Sequence, residues 1–383
     1  MNLPELNHQV DSANETDVVV HVPRVIKIIG GFSYLISGWS LLCTIEDNLV
    51  ISLSKRDDNV IKIINSDKQD KKKFVLSSIK YRKEDKWANA IKAVFSTLTK
   101  NGYKLTGVEI SISGRDLSSA PFSYTASLFV GIISGINKLF ALNFDKEKIF
   151  SLAMASNSFS PYYQALYDDV WALMYAEDGF VYLIDEKNHT TEKAKYDIKN
   201  KKTLILDSGL PFSVLSPILE EFKDEVIINI KKIEASLGRD KEIRSLNEKE
   251  LRVNSHSLLD RERRAVIHLI QASENAKKAF LAIEIGDGDL LGKILDATER
   301  SIYLNAELSS PELDWIFRRC QESNNAGGIC SLGSDNACSF LCLVDEEDSF
   351  PNNQKVEEYE RIFGFHPEKR SFYPYHSTSL FCR

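Results

Sequence analysis

A short turn between an alternating segment and a long apolar segment constrains this chain more than any other feature. Residues 108–113 read Val-Glu-Ile-Ser-Ile-Ser, apolar at every second position, which predicts a strand with one buried face. Residues 121–140 return apolar side chains at helical spacing, which predicts a helix. The sequence Gly-Arg-Asp-Leu-Ser-Ser-Ala, residues 114–120, lies between them. The chain therefore turns from a strand directly into a helix N-terminus.

This turn is a candidate phosphate site. The first N–H groups of a helix lack intrahelical partners and the helix dipole favours negative charge, so serine hydroxyls and backbone amides can surround a phosphate and its Mg²⁺. The alternative is that Ser118 and Ser119 only cap the helix, as serine commonly does.

Three further segments occur in an order that resembles the galactokinase branch of the GHMP small-molecule kinases. Residues 87–94, followed by residues 101–107, are similar to the helix and turn that precede the Leu-Ser-Ser-Ser-Ala phosphate loop of that family. Downstream, Ser-Ser-Pro-Glu-Leu-Asp at residues 309–314 matches the family's Ser-x-Pro-Glu-Leu-Asp stretch. The resemblance extends from Val18 to the C-terminus.

The resemblance implies a two-domain α+β fold. Its N-terminal half would be like the second domain of ribosomal protein S5, and its C-terminal half would be a ferredoxin-like α+β domain. The lysine-rich connector at residues 187–202 suggests a boundary near residue 195, giving domains 1–195 and 196–383. In the second half, residues 225–233 are rich in β-branched side chains and are predicted to be a strand, whereas residues 261–284 and 290–302 are predicted to be amphipathic helices.

An acidic pair is the candidate for proton transfer. Asp168 and Asp169 follow Tyr167, and this triplet aligns with the Met-Asp-Gln of galactokinases. The resemblance implies that Asp168 accepts the proton of the sugar C1 hydroxyl during phosphoryl transfer. The alternative is a solvated acidic pair on a helix.

Arg24 is the candidate for charge stabilisation. Residues 22–30, Val-Pro-Arg-Val-Ile-Lys-Ile-Ile-Gly, resemble the family's Pro-Gly-Arg-Val-Asn-Leu-Ile-Gly with a one-residue slip at the arginine. Lys27 is the alternative cation, because a one-residue shift in a strand reverses the direction of a side chain. A third interpretation is that Arg24 is an ordinary cation at the edge of a strand.

The chain also departs from the family. Residues 31–35 read Gly-Phe-Ser-Tyr-Leu, where galactokinases have the Glu-His-Thr-Asp-Tyr that holds the sugar hydroxyls, so galactose selectivity does not carry over. Asp116 replaces a loop glycine, and Ser156 aligns with the acidic residue that helps the family hold Mg²⁺. Residues 327–338 keep only part of a glycine-rich family motif.

Composition limits the partners. The 383-residue chain has a net charge of −7, which gives no electrostatic reason to expect nucleic acid or an anionic membrane as a partner. No apolar stretch reaches the length of a membrane helix and the N-terminus lacks a signal-peptide pattern, so a cytoplasmic monomer is expected. The six cysteines form no Cys-x-x-Cys pair and are expected to be reduced thiols rather than zinc ligands.

Two hypotheses follow and stay open at this stage. The first is an ATP-dependent kinase for galactose or a related hexose or small alcohol, with Asp168 as base and Arg24 as charge stabiliser. Its nucleotide-binding residues are Gly114, Leu117, Ser118 and Ser119, and Ser118 is also the Mg²⁺ ligand. The second is a catalytically silent relative that binds a sugar, a nucleotide or a protein partner as a sensor or regulator.

Overall fold

The computed structural model describes residues 18–114, 123–237, 241–322, 326–333, 338–346 and 350–382. These residues form two β-sheets and a set of helices. No helix in these ranges is both long and apolar enough to cross a membrane.

The first sheet has eight strands. They are β1 (Val18–Ile29), β2 (Trp39–Lys55), β3 (Val60–Asn65), β4 (Asp70–Val75), β5 (Val108–Gly114), β6 (Phe180–Asp185), β7 (Thr190–Lys195) and β12 (Ser379–Cys382). The main path runs β12-β1-β2-β5-β3-β4, and β6 pairs with the opening residues of β2 and then with β7. Only the β3–β5 pair is parallel among the pairs described. The long strand β2 therefore joins two parts of this sheet.

The second sheet has four antiparallel strands in the order β11-β8-β10-β9. Their bounds are β8 (Lys201–Asp207), β9 (Ala326–Ser331), β10 (Ser339–Asp345) and β11 (Glu368–Ser371). Because β12 returns to pair with β1, the last described residues of the chain lie in the first sheet.

Four helices cover one face of the first sheet. They are α1 (Ala88–Lys100), α2 (Tyr124–Leu139), α3 (Lys146–Ser156) and α4 (Tyr167–Tyr175). Val20 and Val22 of β1 face this helical layer, whereas Ile26 and Ile28 belong to the core on the opposite face. Two register irregularities in the β1–β2 pairing, between Val22 and Arg24 and between Lys27 and Ile29, interrupt the simple alternation.

The other helices are α5 (Phe212–Ser236), α6 (Glu248–Asn254), α7 (Asp260–Glu284), α8 (Gly288–Ser301), α9 (Pro311–Glu322) and α10 (Asn353–Phe363). Helix α7 packs against β1, β2, β6 and β7 and also against α8. Ala276 and Phe280 of α7 share a core with Ile26 and Leu41 of the first sheet and Leu341 of the second. Helix α7 thus lies in the apolar layer that joins the two sheets.

The strand predicted for residues 225–233 is wrong, because these residues are the second half of α5. The β-branched run is short, but over 25 residues the buried positions recur every three or four residues: Leu215, Leu219, Phe222, Val226, Ile230 and Ile233. Burial along one helical stripe outweighs the local β preference.

One buried ion pair ties β6 to the segment between α5 and α6. Arg244 donates two hydrogen bonds to Asp185, Nη1 to Oδ1 at 2.6 Å and Nη2 to Oδ2 at 3.2 Å, and a third to the Ser37 carbonyl at 2.7 Å. Its guanidinium lies 4.0 Å from the centroid of the Trp39 ring. The arrangement is bidentate and almost fully buried, so neither charge has water as an alternative partner.

We expect Arg244→Ala to lower the free energy of unfolding by about 3–5 kcal/mol, because Asp185 would remain buried without its cation. Urea denaturation at pH 7 measures the change. The matched control is Arg261→Ala, whose side chain is 60% exposed and whose ion pairs lie at the surface, with an expected change within about 0.5 kcal/mol. Equal effects of the two substitutions would contradict this account.

Candidate active site

A buried lysine occupies the centre of the site. Lys27 lies two residues after Val25 on β1, so its side chain extends on the same side of the strand, toward α4. Its Nζ atom lies 3.0 Å from Asp168 Oδ1 and 3.6 Å from Asp169 Oδ1. The side chains of Lys27, Asp168 and Asp169 are 4%, 1% and 5% exposed, so all three charges are removed from water.

Helix α4 supplies the two carboxylates from its first turn. That position suits negative charge, because the unpaired N–H groups of a helix N-terminus carry partial positive charge. The backbone N–H of Asp169 donates to Asp168 Oδ1 at 2.8 Å, and Ser40 Oγ on β2 donates to Asp168 Oδ2 at 2.8 Å. Strands β1 and β2 thus hold the Asp168 side chain at the base of α4.

A third carboxyl group completes this cluster. Glu186 directly follows β6 and hydrogen-bonds to Asp168. Burial, followed by repulsion from Asp168, raises the pKa of Glu186 to about 9, so at neutral pH Glu186 keeps its proton and donates it to Asp168. Burial alone would raise the pKa of Asp168 as well, but the Lys27 ammonium and the hydrogen bonds from Glu186 and Ser40 outweigh it and lower that pKa.

Lys27 remains charged in this environment. Burial by itself lowers the pKa of a lysine, but the nearby carboxylates of Asp168 and Asp169 more than compensate, and the pKa of Lys27 is raised. We name these five residues, Lys27, Ser40, Asp168, Asp169 and Glu186, the lysine–carboxylate centre.

A cleft of about 340 Å³ opens beside this centre, between α4, the start of α2 and the first half of α5. Asp169 lines it, whereas Asp168 is not one of its lining residues. Five aromatic side chains contribute to the walls: Phe32, Tyr34, Tyr124, Tyr162 and Phe212. Glu220 and Lys223 of α5 form the charged opposite side. The volume suits a small molecule with both ring-like and polar surfaces.

Two cations lie around Tyr124, which is the first residue of α2 and lines the cleft. The Arg24 guanidinium lies 5.6 Å and the Lys68 ammonium 5.5 Å from the centroid of the Tyr124 ring. Arg24 Nε also donates to the Asp47 carbonyl at 3.2 Å. The structure therefore places Lys27 beside Asp168, and it places Arg24 beside the helix that follows the predicted phosphate turn. The N-cap residue Ser123 makes no side-chain capping hydrogen bond to α2.

Most of the predicted nucleotide-binding residues cannot be compared with the structure. Leu117, Ser118 and Ser119, together with Asp116, lie outside the described residues. Gly114 ends β5, and its N–H donates to Asp67 Oδ2 at 3.0 Å, so this donor is already used.

The departures from the family motif have structural counterparts. Ser156 is fully buried at the end of α3 and donates its hydroxyl to the Leu152 carbonyl at 2.9 Å, so it presents no oxygen to a cleft. Ser331 donates from its backbone N–H and its hydroxyl to Glu299, and the Gly333 N–H donates to the Lys27 carbonyl at 2.8 Å. Within the described ranges, no group of three or more His, Cys, Asp or Glu side chains is placed to hold a metal ion.

Sequence reasoning missed Ser40 and Glu186. Ser40 lies in an apolar strand and Glu186 in a lysine-rich segment, and neither belongs to a recognisable motif. The one feature that could have indicated Glu186 is its position directly after β6, the strand that pairs with β2. Among the cysteines, Cys43, Cys320, Cys330, Cys338 and Cys342 are buried free thiols.

Known proteins resemble the chain over nearly its whole length. A protein of Treponema pallidum (strain Nichols), provisionally named a galactokinase, is 24% identical over 372 residues, which are 95% of this chain and 93% of that protein. The structure of Lactococcus lactis galactokinase complexed with galactose matches with a TM-score of 0.84 at 18% identity and covers 94% of both chains. Methanococcus jannaschii mevalonate kinase matches with a TM-score of 0.63 at 16% identity, over 97% of this chain and 100% of that chain. No family model matches the sequence.

The architecture shared with galactokinase and mevalonate kinase is the two-domain α+β fold of the GHMP kinases. The fold class predicted from the sequence is therefore confirmed. The near full-length similarity to proteins named galactokinase supports the resemblance to the galactokinase branch that the sequence motifs indicate.

We expect Glu186→Gln to raise the melting temperature at pH 8 and to leave it nearly unchanged at pH 4.5. Between about pH 4.5 and about pH 9 the folded chain keeps a proton on Glu186 that the unfolded chain releases, so ionisation of Glu186 favours unfolding as pH rises. Glutamine has no such proton to lose. Differential scanning calorimetry from pH 4.5 to 8.5 follows the difference, with the exposed Glu177→Gln as control. A lower melting temperature for Glu186→Gln at pH 8 would show that Glu186 is needed as an anion.

Proposed function

We propose that this chain is an ATP-dependent kinase that transfers a phosphoryl group to a hydroxyl of a hexose or related small alcohol. The observation that carries the proposal is the lysine–carboxylate centre beside the cleft, which Asp169 lines, with Lys27 3.0 Å from Asp168 and 3.6 Å from Asp169. Phosphoryl transfer needs positive charge near the transferred group and an acceptor for the hydroxyl proton, and this centre contains both.

A purely structural role accounts poorly for this centre. Removing several charges from water is expensive, and a buried ion pair is often no more stabilising than apolar residues of the same volume. Shifted pKa values in groups that surround a cleft are a common feature of active sites. Both arguments favour a chemical role for Lys27 and the acidic pair.

The start of α2 supports a nucleotide site. Its N-cap residue makes no side-chain capping bond, and Arg24 and Lys68 lie around Tyr124, so positive charge surrounds the helix N-terminus. This set of donors fits a triphosphate, and we propose that Gly114, Leu117, Ser118 and Ser119 contact it. ATP, when bound, supplies the phosphoryl group. Ser118 is the proposed Mg²⁺ ligand. Ser156, which lies within the described residues, is not available to the metal, because its hydroxyl donates to the Leu152 carbonyl of its own helix.

The acceptor side of the cleft favours ring stacking over a clamp of polar groups. Phe32 and Tyr34 line the cleft from the segment that follows β1, and Tyr34 lies over the Lys27 ammonium at 5.9 Å. The apolar face of a sugar ring can pack on such side chains, while Gln164 and Asp169 offer hydrogen bonds. We therefore propose a hexose-like acceptor without strict galactose selectivity.

A catalytically silent homologue is the second candidate. It is favoured by the engagement of the Gly114 N–H with Asp67 and by the burial of Ser156, because both remove groups that could contact a nucleotide and its metal. Such a protein would bind a sugar or a nucleotide in the same cleft without turnover.

We expect the purified chain to transfer phosphate from [γ-³²P]ATP to at least one member of a panel of hexoses and small alcohols that includes galactose. Lys27→Met should lower kcat by about 100-fold or more, because the acidic pair would then repel the triphosphate. The control Lys193→Met removes an exposed lysine and should leave kcat unchanged.

Thermal shift with MgATP separates the two candidates, because a bound ligand raises the melting temperature. Binding without transfer would support the silent homologue, and full activity of Lys27→Met would contradict the role of the centre.

A further inference from the structure

The two neighbouring aspartates of α4 differ in their surroundings. Successive residues of a helix are rotated by about 100°, so their side chains leave the helix in different directions. The Asp168 carboxylate contacts Lys27, Ser40 and Glu186. The Asp169 side chain lines the cleft. The two carboxylates therefore have different neighbours, and each can play a different role.

Asp168 has no acceptor site left for a substrate. An ionised carboxylate offers about four lone-pair sites. Oδ1 faces the Lys27 ammonium at 3.0 Å and accepts from the Asp169 N–H at 2.8 Å. Oδ2 accepts from Ser40 Oγ at 2.8 Å, and the protonated Glu186 donates to the same carboxylate. A proton from a substrate could reach Asp168 only after one of these four donors had been displaced.

Asp169 is placed differently. It shares the Lys27 ammonium at 3.6 Å, which keeps positive charge beside it, and it contributes to the cleft wall together with Tyr34 and Gln164. A hydroxyl held in the cleft therefore meets the Asp169 carboxylate before it meets Asp168.

We propose that Asp169 is the carboxylate that receives the proton of the acceptor hydroxyl, and that Asp168 is a positioning residue that holds Lys27. This inference rests on the proposed kinase function. In the step, the acceptor oxygen forms a bond to the γ-phosphorus of ATP, the bond from that phosphorus to the β,γ-bridging oxygen breaks, ADP leaves, and the hydroxyl proton passes to Asp169. No oxidant or further reactant is needed.

The kinetic test compares Asp169→Asn with Asp168→Asn. We expect Asp169→Asn to lower kcat by about 100-fold or more with little change in the KM for ATP, because a positioned general base contributes at least that much. Asp168→Asn should lower the melting temperature, because Lys27 loses its nearest counter-charge, and should lower kcat by less than tenfold. The reverse order of the two kcat losses would overturn the proposal.

A second measurement does not depend on turnover. In the unsubstituted chain labelled with [4-¹³C]aspartate, galactose is titrated as the probe and the two carboxyl signals are assigned from the two asparagine variants. A shift of the Asp169 signal with little change at Asp168 supports the proposal. A shift confined to Asp168, or no shift at either residue up to 100 mM galactose, overturns it. If Asp169 responds while the unsubstituted chain transfers no phosphate, the kinase function fails and the contact between Asp169 and the ligand stands.

Discussion

Burial of the Lys27 ammonium is the constraint on which the rest of the site depends. An ammonium group removed from water needs compensating charge within a few ångströms, and α4 provides it from its first turn at 3.0 and 3.6 Å. This requirement fixes the position of α4 relative to β1, and Ser40 on β2 fixes the rotation of the Asp168 carboxylate. The geometry of the centre thus comes from two paired strands and one helix, which are more rigid supports than loops.

The same centre depends on contacts with the second half of the chain. The Gly333 N–H donates to the Lys27 carbonyl, so the turn after β9 contacts β1 at the lysine itself. Helix α7 packs against the first sheet, and Arg244 holds Asp185 at the end of β6, one residue before Glu186. The position of Glu186 therefore depends on the contacts that β6 makes with α7 and with the segment between α5 and α6.

The sequence predicted those features that depend on local patterns. The positions of β5, α2, α7 and α8 follow from alternation and helical periodicity, and the order of the motifs indicated the resemblance to the galactokinase branch. The strand predicted for residues 225–233 was wrong because these nine residues, five of them β-branched, carry no information about the thirteen residues that precede them in the same helix.

The candidate site was less predictable, because its geometry depends on strand register. Arg24 and Lys27 both lie in β1, and the irregularity in the β1–β2 pairing between Val22 and Arg24 decides which cation faces α4. Such irregularities leave no clear trace in the sequence. The same applies to Ser40 and Glu186, which reach Asp168 only because β2 and β6 are neighbours in the sheet. The assignments of Leu117, Ser118 and Ser119 remain predictions.

The contrast between the charged centre and the walls of the cleft bears on what the protein does. The aromatic wall of the cleft has a structural explanation of its own, because Phe32 is buried in the core and its ring centroid lies 5.2 Å from that of Phe222. The buried centre of three carboxyl groups and one lysine has no comparable structural explanation, because apolar residues would fill the same volume without the desolvation penalty. A protein that needed only this fold would gain no stability from the lysine–carboxylate centre. The physical argument therefore favours the proposed function, in which the walls select the molecule that enters the cleft and the centre binds it or acts on it.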